Sequence, residues 1–378
     1  MRVCWRPCRT ADMAFVDFHG NTQMVATVRG MLARDRFPHA LILAGPAGSG
    51  KYTLAQMIAK TMSCLAPPPG PLPDFCGRCA NCLQIGEADD LSARVREAVE
   101  ARENLRETDR KDTRILVQTH PDVLILPPDP PQMLVKVDQV RHLIGAIYKR
   151  PAKARQALYI FPESVFMKEA ANSLLKVLEE PPKFATLLLL TTNPGELLPT
   201  IRSRCVTLRL APLPTAELEQ YLARRRPDWN AKTQALVARL CSGAVGKAIA
   251  FDLDGYVGAR KDALVLLESA VRPEDHSLLF RTTEDYRAGA DGREKTEQLM
   301  RTVYSLLQDM LYLKAGLPNL VRNSDILPQI LGLAGRVDFP WIAAAAEGLG
   351  EVQSGMRRNV LRALSLDAFS AGLEPEIA

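Results

Sequence analysis

The stretch Gly45-Pro-Ala-Gly-Ser-Gly-Lys51 constrains this chain more than any other feature. It follows His39-Ala-Leu-Ile-Leu-Ala44, an apolar run that predicts a short buried strand, and it opens a helical pattern over residues 51–63. Small residues in that setting let successive backbone N–H groups turn toward one point, and the helix N-terminus adds a favourable dipole. The segment therefore reads as a polyphosphate-binding loop, with Gly45, Gly48, Ser49 and Gly50 forming the cradle and Lys51 reaching the terminal phosphates. Such a loop belongs to a strand–loop–helix unit, and the apolar runs 122–126, 157–161 and 186–192 supply further strands. Lys168–Glu180 has helical spacing and stops at Pro181-Pro182. Strands alternating with helices predict an α/β fold, a parallel sheet covered on both faces. Beyond the linker Ala211-Pro-Leu-Pro214 the pattern is helical, with no further strand signal.

The loop departs from a hydrolytic site in two places. A Ser or Thr hydroxyl should follow the lysine as a Mg²⁺ ligand, and here Tyr52 stands there. Thr53 comes one residue later, about 100° around the helix, and is a poor substitute. An acidic pair is also needed after a second buried strand, for the metal and the attacking water. The strand Ala157–Phe161 instead runs into Phe161-Pro162, which offer no ligand, with Glu163 as a displaced acid at best. Nucleotide binding stays open on this reading; independent hydrolysis is not expected.

Four of the eight cysteines cluster as Cys64-x₁₁-Cys76-x₂-Cys79-x₂-Cys82, while Cys4, Cys8, Cys205 and Cys241 are scattered. Four thiolates at short spacing suit a closed tetrahedral Zn²⁺ site, structural by default. A redox pair is the rival, and His120 is a weak alternative ligand. Without an apolar secretion signal, clustered cysteines argue for metal rather than disulfides and for the cytoplasm. Residues 1–12 read as a loose extension before a natural start at Met13. Residues 86–118 interleave acids and bases at helical spacing and read as a solvated surface helix or hairpin. A length of 378 residues implies two or three domains, and no apolar run is long enough to span a membrane. The formal charge of +5 fits work near nucleic acid without deciding it.

A family resemblance rests on several motifs together. Ala170-Ala-Asn-Ser-Leu-Leu-Lys-Val-Leu-Glu-Glu-Pro-Pro182, Leu190-Thr-Thr-Asn193 and Ile201-Arg-Ser-Arg-Cys205 join His39-Ala40, the cysteine cluster, His120-Pro-Asp122 and Val137-Asp-Gln-Val-Arg141. Over residues 14–212 the chain resembles the bacterial DNA polymerase III clamp-loader subunits of the AAA+ class, in which these motifs occur in this order. The missing hydroxyl and acidic pair favour the delta-prime branch over the ATP-hydrolysing tau/gamma branch, which remains the alternative. Leu306-Leu-Gln-Asp-Met-Leu-Tyr-Leu-Lys-Ala315 resembles the helical collar of delta-prime. A P-loop enzyme unrelated to replication, such as a nucleotide kinase, would leave these motifs unexplained.

The resemblance implies the roles of several residues. Asn193 takes the sensor-1 position. Arg204 would project into the ATP site of a neighbouring subunit as an arginine finger, its alternative being an arginine paired with a carboxylate at the strand end. Lys247, in Ser242-Gly-Ala-Val-Gly-Lys247-Ala, would either touch a phosphate or be a solvated surface lysine. The implied domains are an AAA+ P-loop domain over 13–211, with a zinc module at 64–82 and the charged insertion at 86–118, a helical lid over 212–262 and an all-α collar over 263–378. The implied partners are the tau/gamma and delta subunits in a hetero-oligomeric ring and, through it, the sliding beta clamp and primed DNA.

Overall fold

The computed structural model describes residues 14–130, 132–271, 276–287, 290–357 and 360–373. The extension expected over 1–12, with Cys4 and Cys8, lies outside them. In chain order, helix α1 (Thr22–Ala33) precedes strand β1 (Ala40–Ala44) and α2 (Lys51–Ser63). Helices α3 (Ala80–Gly86), α4 (Leu91–Glu103) and α5 (Glu107–Asp112) then lead to β2 (Val117–His120) and β3 (Val123–Ile125). Next come α6 (Val137–Ile147), β4 (Ala157–Phe161), α7 (Lys168–Glu179), β5 (Ala185–Thr191), α8 (Pro199–Arg202) and β6 (Val206–Arg209). The rest of the described chain is helical: α9 (Thr215–Arg225), α10 (Ala231–Cys241), α11 (Val245–Ile249), α12 (Leu253–Val271), α13 (Ser277–Glu284), α14 (Ala290–Lys314), α15 (Leu327–Ala334), α16 (Phe339–Arg357) and α17 (Arg362–Ala371).

The six strands form one sheet in the order β2-β3-β4-β5-β1-β6, parallel except where β2 meets β3. Strand β1 lies between β5 and β6, with Ile42 in register with Leu189 on one side and Thr207 on the other. Its side chains alternate between faces, as a strand buried on both sides requires. Leu41 and Leu43 join a core with α1 and α2, while Ala40, Ile42 and Ala44 join a second core with α6 and α7. The α/β expectation is met, and α2 and β4 fall where the sequence places them.

Two strands escape sequence reading, both at sheet edges. Strand β2 follows the charged stretch and buries only its two ends, and β6 exposes Val206, Thr207 and Arg209. Edge strands lack the continuous apolar run that marks a central one. The charged stretch 86–118 is helical over α4 and α5, gives its last two residues to β2, and is anchored rather than fully solvated: Leu91 is buried, and Arg102 reaches in to the buried Asp129 at 2.7 Å.

Contacts divide the chain into two compact units, 1–220 with 241–250 and 221–240 with 251–378. In the first, the linker after β6 is clamped by Asn21, whose amide donates to the Ala211 carbonyl and accepts from the Ala211 N–H. In the second, α12 to α17 surround an apolar core containing Leu266, Leu306, Met310 and Leu366. A polar network crosses that core: Asp309 accepts from the Arg322 and Asn323 backbone amides and from the Asn323 side chain, and Arg260 binds Asp325 through two nitrogens. No helix among the described residues is long and apolar enough to cross a membrane.

Candidate functional site

The loop between β1 and α2 has the backbone that its glycines predict. Gly48 and Gly50 sit at φ +83° and +88°, where an L side chain is strained. A Cβ at Gly45 would stand 2.7 Å from the Leu210 carbonyl oxygen. Lys51 folds back on the loop, its Nζ donating to the carbonyls of Gly45 at 2.6 Å and Pro46 at 2.8 Å. Burial lowers its pKa to about 8, against the pull of the Glu163 carboxylate, and Lys247 pushes the same way as burial. Glu163 is the reciprocal case: burial raises its pKa, and Lys51 draws it back down.

A segment far along the chain lies on this loop. The Gly246 N–H donates to the Gly48 carbonyl at 2.8 Å. A Cβ on Gly48 would come within 2.7 Å of Lys247 Cγ. The structure thus brings Gly45, Gly48, Ser49, Gly50, Lys51 and Lys247 together, and Glu163 with them. The Ser49 hydroxyl is buried without a hydrogen-bond partner among the described residues.

The two expected defects have clear physical forms. Tyr52 is buried, its hydroxyl donating to the Ala88 carbonyl at 2.7 Å and meeting the Gln56 amide. Burial drives its pKa up. The side chain at the metal-ligand position is therefore a core residue that ties α2 to the turn before α4. Phe161 is fully buried and packs edge-on against Phe166, with ring centroids 5.1 Å apart. Thr53 lies half-buried on α2.

Asn193 is engaged locally: its Oδ1 accepts from the Gly195 N–H at 2.9 Å and caps the 3₁₀ turn Pro194–Glu196. Arg204 follows α8. Its Nη2 donates to Glu179 Oε1 at 2.7 Å, and its Nη1 donates to the Thr200 carbonyl and the Ser203 hydroxyl. Glu179 stands within the quoted Leu-Glu-Glu-Pro-Pro segment, but only the packing of α8 on α7 reveals the pair.

The cysteine cluster is assembled by elements that meet in space. Cys64 caps the C-terminus of α2, Cys79 precedes α3, and Cys82 lies within it. All four sulfurs lie within 4.8 Å of one another, and none forms a disulfide. A tetrahedron of ~2.3 Å metal–sulfur bonds has edges of roughly 3.8 Å, so the set suits a tetrahedral metal ion with no open position. The Cys76 and Cys79 amides donate to the sulfurs of Cys64 and Cys76 at 3.3 Å each. Burial raises the Cys79 pKa, but N–H donors and neighbouring thiols outweigh it and bring it to about 6. The proline-rich loop between Cys64 and Cys76 is held by Arg29 of α1, which donates to the Leu72 and Pro73 carbonyls and to Asp74. His120 is not among the ligands: it is buried in β2, and its Nδ1 accepts from the Asp122 N–H. Asp122 in turn accepts the amides of Ala152, Lys153 and Ala154.

The family model described as DNA polymerase III, delta subunit, matches residues 20–95 and 88–214. A DNA polymerase III subunit delta' of Pseudomonas aeruginosa is 32% identical over 56% of this chain and 55% of its own length. The subunit delta' of Bacillus subtilis is 28% identical over 66% of this chain and 64% of its own. A subunit tau/gamma of Haemophilus influenzae is 28% identical over 58% of this chain and 26% of its own. The matched region thus spans about half the length of the curated delta' protein of P. aeruginosa and less of tau/gamma. With the family model covering half of it, the chain belongs to the DNA polymerase III, delta subunit, family.

Proposed function

We propose that this chain is a delta-prime type subunit of the DNA polymerase III clamp loader, working in the cytoplasm. It assembles with delta and tau/gamma-type subunits into a ring that loads the sliding beta clamp onto primed DNA. Its own role is that of a non-hydrolysing stator. The single observation that carries this reading is the burial of Tyr52, bonded to the Ala88 carbonyl, where a metal-ligating hydroxyl is needed. The buried Phe161 in place of an acid supports it. The loop's backbone still suits a polyphosphate, so ATP binding without hydrolysis is compatible with the site; Lys51 and Lys247 are the cations that would meet it.

Arg204 supplies the arginine finger in trans. A guanidinium stays charged and presents a rigid donor fork, and such fingers contribute about 10³–10⁵ in rate in other phosphoryl-transfer systems. Cys64, Cys76, Cys79 and Cys82 hold a structural Zn²⁺ that joins the end of α2 to α3. The domain division that goes with this reading is an AAA+ domain over 13–211, a lid over 212–262 and a collar over 263–378.

One observation favours the alternative of an ATP-hydrolysing tau/gamma-type subunit: the Glu163 carboxylate is near enough to Lys51 for their charges to interact. Steady-state ATP turnover separates the two. The chain alone is expected to show none, and Arg204→Ala is expected to slow turnover by the reconstituted loader. Mg²⁺-dependent turnover by the isolated chain would sink the stator reading.

A further inference from the structure

The environment of Arg204 has a consequence for its neighbour on α7. Glu179 is the last residue of α7, just before Pro181-Pro182 end the helix. The preceding residues Leu174, Val177 and Leu178 are buried, so the Glu179 backbone is fixed. Helix α8 packs against α7 through the fully buried Ile201, and the Arg204 N–H donates to the Ile201 carbonyl at 3.1 Å. Both side chains thus extend from rigid bases into solvent.

At that surface the guanidinium meets three acceptors of different kinds. They are the Glu179 carboxylate, the Thr200 carbonyl at the end of α8, and the Ser203 hydroxyl. The Thr200 carbonyl also accepts from the Ser203 hydroxyl at 3.1 Å, so these two acceptors are themselves linked. An arginine carries five N–H donors in a fixed plane, so three bonds orient it and leave two for an incoming anion. The Arg204 and Glu179 side chains are 35% and 51% exposed. A pair so exposed contributes little to stability. Its effect is on orientation: it removes rotamer freedom before a partner arrives, which lowers the cost of engagement.

We propose that Glu179 is a positioning residue for Arg204, holding the guanidinium in the orientation it presents to the anionic group of an adjoining subunit. The proposal rests on the reading of Arg204 as a finger in trans. The bond is a single contact to one oxygen, so it orients without enclosing the guanidinium. Glu179 itself touches no reacting atom.

The test is a double-mutant cycle on ATP turnover in the reconstituted loader. Glu179→Ala is expected to lower kcat about two- to fivefold, the range an exposed pair of this kind supports, with KM for ATP unchanged. Glu179→Gln keeps an acceptor oxygen in place and is expected to recover part of the loss. In an Arg204→Ala background, Glu179→Ala should do nothing further. In the isolated chain, Glu179→Ala should speed modification of Arg204 by phenylglyoxal relative to Arg202, read by peptide mass mapping. Three results overturn the inference while leaving the finger intact: a rise in turnover, an equal loss with and without Arg204, or no effect of Glu179→Ala where Arg204→Ala slows the loader. Unchanged labelling of Arg204 would show that the pair does not form in solution and overturns it as well. If Arg204→Ala leaves turnover untouched, the finger reading fails and the positioning role falls with it.

Discussion

Tyr52 is both a core residue and the occupant of a catalytic position, and these roles set what substitution can achieve. Tyr52→Thr restores a hydroxyl next to Lys51 but empties the space the ring fills and leaves the Ala88 carbonyl with only the long Gln56 amide contact at 3.5 Å. Loss of a buried aromatic side chain costs about 3 kcal/mol or more. The variant is therefore expected to unfold at lower urea concentration, while ATP turnover stays absent because Phe161-Pro162 still offers no acid. Turnover appearing in Tyr52→Thr would show that the hydroxyl was the only missing part. Gly48 makes a second residue-scale case. Its positive φ and the close approach of Lys247 both exclude a side chain. Gly48→Ala is expected to cost on the order of 1–3 kcal/mol, measurable by urea unfolding.

Elements are held in place here by a few polar anchors. Helix α4 has a weakly apolar sequence, and Arg102 compensates by reaching Asp129, whose other cation is Lys136 at 3.4 Å. Removing one partner of a buried pair leaves the other charge uncompensated, at a cost of roughly 3–5 kcal/mol for a fully buried case. Asp129→Ala should approach the lower end of that range, with limited proteolysis cutting within 91–114 before the sheet opens. A tolerant Asp129→Ala would mean that α4 is held by Leu91 and Val95 alone. If the four cysteines hold zinc as proposed, the α2–α3 junction should depend on them in the same way. Cys82→Ser, or a strong chelator, is expected to release stoichiometric zinc and expose 64–82 to protease, as read by metal analysis and peptide mapping. An unchanged digest after full chelation would refute a structural role for the metal.

For the whole molecule, buried acids with raised pKa values set the alkaline limit. Burial pushes the Cys205 and Cys241 thiols and the Tyr159 and Tyr256 phenols up to about 12 each. Their folded pKa values exceed the unfolded ones, so the folded chain holds more protons above pH 9, and stability falls as pH rises. Lys51 acts oppositely: its pKa near 8 lies below the unfolded 10.5, so between these values rising pH favours the folded state. Two thiols outweigh one lysine from about pH 9, and the phenols add to them above pH 10. The urea midpoint should therefore drop steeply between pH 9.5 and 11; a flat profile there would mean that these groups are hydrated in the folded chain.

The local sequence determined whatever depends on neighbours along the chain. A buried central strand, a glycine loop and a helix stopped by two prolines are set by nearest-neighbour sterics and apolar periodicity, so β1, the loop, α2, β4 and α7 were legible. Tyr52 and Phe161-Pro162 were legible too, because the departure lies in residue type alone. Edge strands β2 and β6 were not, since half-exposed strands need no continuous apolar run. Only the tertiary structure decided which distant residues meet. Gly246 on Gly48, Glu163 near Lys51, Arg102 on Asp129 and Glu179 on Arg204 are separated by up to about two hundred residues of chain, and no periodicity encodes them. They arise because the sheet order sets β1 between β5 and β6 and the two apolar cores fix the helices that cover it. Side chains then find their partners at the strand and helix ends that this packing brings together.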